Sequence, residues 1–84
     1  MIADEDTRYR IRYEYGPPTW EVTDEVVESL DEALELLDDA LDDPLFVMSA
    51  YGQAVTVDRL RGGRVTRVTR WELVEGRWIR RKRR

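Results

Sequence analysis

The segment 54–81 reads AVTVDRLRGGRVTRVTRWELVEGRWIRR, and it decides the fold of this chain. Valine, threonine and aromatic residues dominate three runs within it, a composition typical of β-strands. The dipeptides Gly62-Gly63 and Glu75-Gly76 separate the runs, and each suits a two-residue turn with positive φ. The sequence therefore predicts a three-stranded meander whose strands are Ala54–Arg61, Arg64–Val74 and Arg77–Arg81.

The two turns also predict the strand register, because pairing follows by counting outward from each turn. Val57 then lies opposite Val68, and Trp71 lies opposite Arg80. Successive side chains alternate between the faces, so this register gives each face a large apolar set. The first set is Leu60, Val65, Trp71, Leu73 and Trp78, and the second is Val55, Val57, Val68, Val74 and Ile79.

One helix covers one face of a sheet, so the second apolar set needs another cover. A β-bulge in one strand can gather the apolar residues on one side, or the sheet can curl onto itself. A second copy of the chain can also cover the face, as in many small proteins with thin cores. Because stable monomers rarely expose large apolar patches, we expect the second set to be the self-association face of a homodimer.

Two further strands are predicted before the meander. Residues 8–15, RYRIRYEY, alternate apolar and charged side chains, which is typical of a half-buried antiparallel strand. Residues 20–28 fit either a strand or the start of a helix. We favour the strand, because Ser29 and Glu32 form a capping box immediately afterwards.

The segment 30–41 is the strongest helical signal in the chain. Its leucines and alanines recur at the i, i+3, i+4, i+7 spacing of one helical face, and Pro44 ends the pattern. We therefore predict an α+β fold of two layers, in which a single amphipathic helix packs on one antiparallel sheet in the order β-β-α-β-β-β. A short extra strand at 46–50 and a bend at 51–53 can precede the meander.

The length of 84 residues supports one domain, which we place at 8–80 between a polar N-terminal arm, 1–7, and a basic C-terminal tail, 81–84. Cysteine and histidine are absent, which excludes a disulfide framework, thiolate or imidazole metal sites and nucleophile–histidine pairs. We therefore predict no catalytic, cofactor-binding or metal-binding residues. No segment approaches the roughly 20 apolar residues of a membrane span, so we expect a cytoplasmic protein without membrane contact.

Charge is strongly segregated along the chain despite a net charge of only −4. Residues 21–43 contain eleven acidic side chains and no basic one, whereas residues 44–84 contain eleven basic and three acidic ones. The end of the predicted helix carries an acidic ridge, which is either a solvated face or a contact for a basic partner. The ridge consists of Asp38, Asp39, Asp42 and Asp43.

The basic C-terminus is the candidate nucleic-acid contact, because clustered arginines beside Trp78 can bind phosphates and stack on bases. It consists of Arg80, Arg81, Lys82, Arg83 and Arg84. Two other arginine groups are interpreted structurally. The row Arg8, Arg10 and Arg12 is typical of a solvated sheet face, and the tripeptide RGG at 61–63 is typical of a hairpin turn.

The sequence thus favours a small, non-catalytic interaction or regulatory protein that binds itself, an unidentified protein, or both. The different-class alternative is a nucleic-acid-binding accessory protein that acts through the arginine-rich tail and a sheet face. Thirteen of the fourteen basic residues are arginine, whose codons are rich in G and C. This bias indicates a bacterium of high GC content, or its phage, as the source.

Overall fold

A computed structural model of the chain describes residues 7–16, 21–43 and 53–81. The elements are β1 (Arg8–Tyr15), β2 (Glu21–Val27), α1 (Leu30–Asp42), β3 (Ala54–Arg61), β4 (Arg64–Val74) and β5 (Arg77–Arg81). The predicted order β-β-α-β-β-β and the α+β class are confirmed. Residues 21–27 of the ambiguous segment 20–28 form a strand, as favoured. The predicted extra strand at 46–50 and the first two residues of the predicted bend lie outside the described residues.

The five strands form one antiparallel sheet in the order β2-β1-β3-β4-β5. Helix α1 connects β2 to β3 and packs on β1, β2 and β3. Both predicted turns are present, with positive φ at Gly62, Gly63, Glu75 and Gly76. The helix therefore covers one side of the sheet, which we call the helix-covered face.

Helix α1 begins where its capping residues dictate. The Ser29 hydroxyl accepts a hydrogen bond from the backbone N–H of Glu32 at 3.1 Å, as the capping-box spacing predicts. Three side chains of the helix, Ala33, Leu37 and Ala40, are buried against the sheet. Two of these are alanines, whose small side chains allow the helix axis to approach the strands closely.

The core lies between α1 and the two central strands β1 and β3. Ile11, Val55 and Val57 are fully buried there. Half-buried aromatic side chains surround this centre. They are Tyr9, Tyr13, Tyr15, Trp71 and Trp78.

A β-bulge at Val68 sets the faces of the meander. Val57 pairs with Thr69 and Asp58 pairs with Arg67, so Val68 is passed over in the register. The predicted pairing of Val57 with Val68 is therefore wrong, and the bulge, one of the three expected arrangements, is present. Because of this extra residue, every side chain of β4 after Val68 lies on the opposite face from the one that a regular strand would give it.

The bulge also corrects the predicted self-association face. Trp71 now lies opposite Val55, and both lie on the helix-covered face. Val55 and Val57 are core residues with no exposed surface, whereas Val74 and Ile79 lie on the other face, where more than a third of each side chain is exposed. The set Val55, Val57, Val68, Val74 and Ile79 is thus not one surface. The second turn keeps its predicted register, with Trp71 opposite Arg80.

Deletion of Val68 should leave the fold intact and cost no more than about 1 kcal/mol of unfolding free energy, because Arg67 and Thr69 keep their partners Asp58 and Val57 in a regular strand and Trp71 stays on the helix-covered face. Urea denaturation followed by tryptophan fluorescence measures this change. The control Val68→Thr keeps the residue count and a β-branched side chain, and should cost less than about 1 kcal/mol. A loss of more than about 3 kcal/mol on deletion of Val68, with the control unaffected, would contradict the assignment of Val68 as the extra residue.

Candidate functional site

The sheet face opposite α1 carries a network of ion pairs, and we call it the charged face. Near its centre, Arg10 Nη2 lies 2.9 Å from Asp58 Oδ2, and both side chains are largely buried. Towards β2, Arg12 Nε lies 2.8 Å from Asp24 Oδ1 in a more exposed pair. These pairs join β1 to β3 and β1 to β2.

Arg70 links three neighbouring strands on the same face. Its Nη1 lies 2.8 Å from Glu14 Oε2 and 2.9 Å from the Thr56 hydroxyl, and its Nε lies 2.8 Å from Glu72 Oε2. Arg81 Nε extends the network to β5 with a contact of 2.7 Å to Glu72 Oε1. Arg81, predicted as the first residue of the basic tail, is therefore the last residue of a strand and is engaged in an ion pair.

Hydrogen bonds within this network lower the pKa of two carboxylates, Glu72 and Asp24. Those donated by Arg70 and Arg81 lower the pKa of Glu72 below its ordinary value. The hydrogen bond from Arg12 likewise lowers the pKa of Asp24. Both carboxylates are therefore held in the charged form on the charged face.

Other arginines form no ion pair within the part of the chain that the structure describes. All of them are exposed. They are Arg8, Arg59, Arg61, Arg64, Arg67, Arg77 and Arg80. The charged face is thus electrostatically satisfied at its centre, whereas the free arginines are distributed over both faces of the sheet.

Four of these free arginines meet where β3 turns into β4. Arg61 and Arg64 are directly opposite each other across the turn, Arg59 lies two residues earlier, and Arg8 lies beside the hairpin on β1. We call residues 59–64 together with Arg8 the arginine hairpin. The glycine turn places its flanking arginines at the end of a rigid two-stranded element.

Two shallow concavities flank the arginine hairpin. The first, of about 360 Å³, is lined by Arg8, Arg61 and Arg64 with Leu60 and Val65. The second, of about 390 Å³, is lined by residues that include Arg59, Arg61, Arg64 and Thr66. Leu60, Val65 and Arg8 belong to the charged face, whereas Arg59 and Thr66 belong to the helix-covered face. The hairpin therefore presents guanidinium groups on both sides of the sheet.

The predicted acidic ridge lies on helix α1, in the other layer of the molecule. Asp38, Asp39 and Asp42 are exposed and form no ion pair with any described residue. Burial raises the pKa of Tyr13 beneath the helix, and the negative charges of Glu25 and Asp39 raise it further. The fourth member, Asp43, is the C-cap residue, whose backbone N–H bonds to the Ala40 carbonyl.

The structure distributes the sequence-predicted nucleic-acid residues differently from the prediction. Arg80 is an exposed residue of β5, and Arg81 is bound to Glu72, while 82–84 lie outside the described residues. The arginine hairpin was not predicted as a site, because its residues were interpreted as a turn and a solvated row. The signal was the absence of acidic residues from 59–71, where the basic residues lie on both sides of the GG pair.

The comparisons with known proteins add no relative: the chain matches no family model, no curated protein and no solved structure. Helix α1, in the part of the chain that is described, is not long and apolar enough to cross a membrane. Within the same residues no group of three or more acidic side chains is placed to hold a metal ion. The features that remain to be assigned are therefore the arginine hairpin and the acidic ridge.

Asp58→Ala should cost about 2 kcal/mol of unfolding free energy, because it leaves the largely buried Arg10 without its ion-pair partner. Asp24→Ala is the matched control and should cost less than about 1 kcal/mol, since the Arg12–Asp24 pair is more exposed. Urea unfolding at neutral pH measures both. A loss from Asp58→Ala no larger than that from Asp24→Ala would show that the central pair does not stabilise the sheet.

The stability advantage of the wild type over Glu72→Gln should shrink in acid. The pKa of Glu72 is lower in the folded chain than its ordinary value of 4.5, so its carboxylate stabilises the fold above that pH. This contribution is lost as the pH falls through the folded-state pKa. Urea midpoints between pH 7 and pH 3 measure the difference, with Glu75→Gln, in the exposed turn, as the control for net charge. A constant difference for Glu72→Gln would contradict the prediction.

Proposed function

We propose that this protein is a small, non-catalytic binding protein whose arginine hairpin engages an anionic macromolecule. The observation that carries the proposal is the pair Arg61 and Arg64, which face each other without a carboxylate between them. Like charges directly opposite on neighbouring strands destabilise a sheet. An anion bound between them would remove this repulsion and gain two charge-assisted hydrogen bonds.

The distribution of carboxylates supports the same interpretation. On the charged face, Glu14, Asp24, Asp58 and Glu72 are each held by an arginine of the network. They are therefore committed to internal pairing and are poor candidates for general acid or base catalysis. The arginines of the arginine hairpin are instead available to bind a partner, because no described residue forms an ion pair with them.

Self-association through the apolar second set is not part of this proposal, since Val55 and Val57 belong to the core. We still propose an interaction protein, as predicted from the sequence, but its partner is an anionic macromolecule and not a second copy of the chain. The location that we propose is the cytoplasm. The contact residues that we propose are Arg8, Arg59, Arg61 and Arg64.

The triple variant Arg59→Thr, Arg61→Thr, Arg64→Thr should elute from a heparin column at clearly lower salt than the wild type. Threonine keeps the β-propensity of the strand positions, so the fold should persist, as circular dichroism would verify. The matched control lacks residues 82–84 and also loses three positive charges. It should elute close to the wild type.

Two outcomes would contradict the proposal. Equal losses in both variants would mean that retention reflects net charge alone. A loss in the truncated chain alone would assign binding to the C-terminal tail, as the sequence first suggested. A loss confined to the folded triple variant supports the arginine hairpin.

A further inference from the structure

We infer that the anionic partner is duplex DNA, held with the end of the arginine hairpin in its major groove. This inference rests on the proposed function and names the partner of the same site. It is carried by three features of the hairpin: the directions in which its arginines lie, the thickness of the element, and the composition of the two concavities.

The arginines of the hairpin lie on both faces of the sheet. Arg8 belongs to the charged face and Arg59 to the helix-covered face, while Arg61 and Arg64 line both concavities. A flat or convex anionic surface, such as an acidic helix of another protein, reaches one face only. A groove with phosphates along both walls reaches both faces at once.

The dimensions of the hairpin agree with such a groove. A sheet with its side chains is about 10 Å thick, judging by the spacing of packed sheets. The major groove of B-DNA is about 12 Å wide and admits a two-stranded β-ribbon. The tip consists of Gly62 and Gly63, and a β-carbon built on either glycine would meet no atom within 4 Å. The tip is therefore narrow and sterically open.

The composition of the concavities favours duplex DNA over other nucleic acids. Proteins that bind single strands stack the bases on aromatic side chains, and neither concavity is lined by an aromatic residue. The major groove of duplex RNA is too deep and narrow for side chains to enter. Guanidinium groups instead match phosphate oxygens with paired hydrogen bonds.

The acidic helix restricts how the duplex can approach. Asp38, Asp39 and Asp42 repel phosphates from the outer side of α1. Contact is therefore confined to the end of the hairpin, and it must rely on a few local phosphates because the chain as a whole carries a net charge of −4. Binding of this kind weakens steeply as salt rises.

The test measures fluorescence anisotropy of the full-length chain with a labelled 20-base-pair DNA duplex at 50 mM and 200 mM salt. If four arginines each neutralise one phosphate, affinity should fall about 150-fold over this range, and only about 4-fold for the triple threonine variant, which keeps Arg8. A single strand of the same length and the corresponding RNA duplex should both bind more weakly than duplex DNA. Polyglutamate should be a poor competitor of the labelled DNA duplex for binding to the protein.

The outcomes separate this inference from the proposed function. If polyglutamate, the single strand or the RNA duplex binds as tightly as duplex DNA, and the triple variant still loses binding, the groove inference is overturned and the proposed function stands. If the triple variant binds every polyanion as the truncated control does, the proposed function fails, and this inference fails with it. An equal salt dependence for the wild type and the triple variant would also overturn the inference.

Discussion

The constraint on which this structure depends is that one helix must cover all the large apolar side chains at the centre of the sheet. A regular β4 would turn Trp71 and Leu73 away from the side of Val55 and Val57. The bulge at Val68 brings them to that side. A lost ladder hydrogen bond costs about 1 kcal/mol, whereas burying one large apolar side chain contributes about 1.5–3 kcal/mol. The irregular strand is therefore the more stable arrangement for a single chain.

The same bulge determines what the opposite face can be. Once Trp71 and Trp78 lie on the helix-covered face, polar side chains occupy the centre of the other face, where Arg10, Arg70 and their carboxylates join three strands by ion pairs. These central pairs are only partly exposed, so solvent and salt screen them less than pairs at the rim. Stability thus resides in the middle of the sheet. The arginine hairpin at its end bears little of it.

Much of the fold could be predicted from the sequence because its signals are local. The capping pair Ser29 and Glu32 and the GG turn each specify their own structure within a few residues. The bulge has no such local signal. The repeat RVTRVT at 64–69 contains no glycine, and its pattern fits a bulged strand as well as a regular one. Its position follows from burial in three dimensions. The site was missed for a related reason, because only the folded register shows that Arg10 has a carboxylate partner and Arg61 has none.

An uncompensated arginine pair is tolerated at the hairpin because of where it lies. Repulsion between Arg61 and Arg64 acts through water, where two unit charges a few ångströms apart interact by only about 1 kcal/mol. The chain contains enough acidic residues to neutralise every arginine, but eight of them lie between residues 28 and 43, on and around a helix in the other layer. The fold therefore keeps opposite charges apart. The local field at each end of the molecule, rather than the small net charge, governs which partners can approach it.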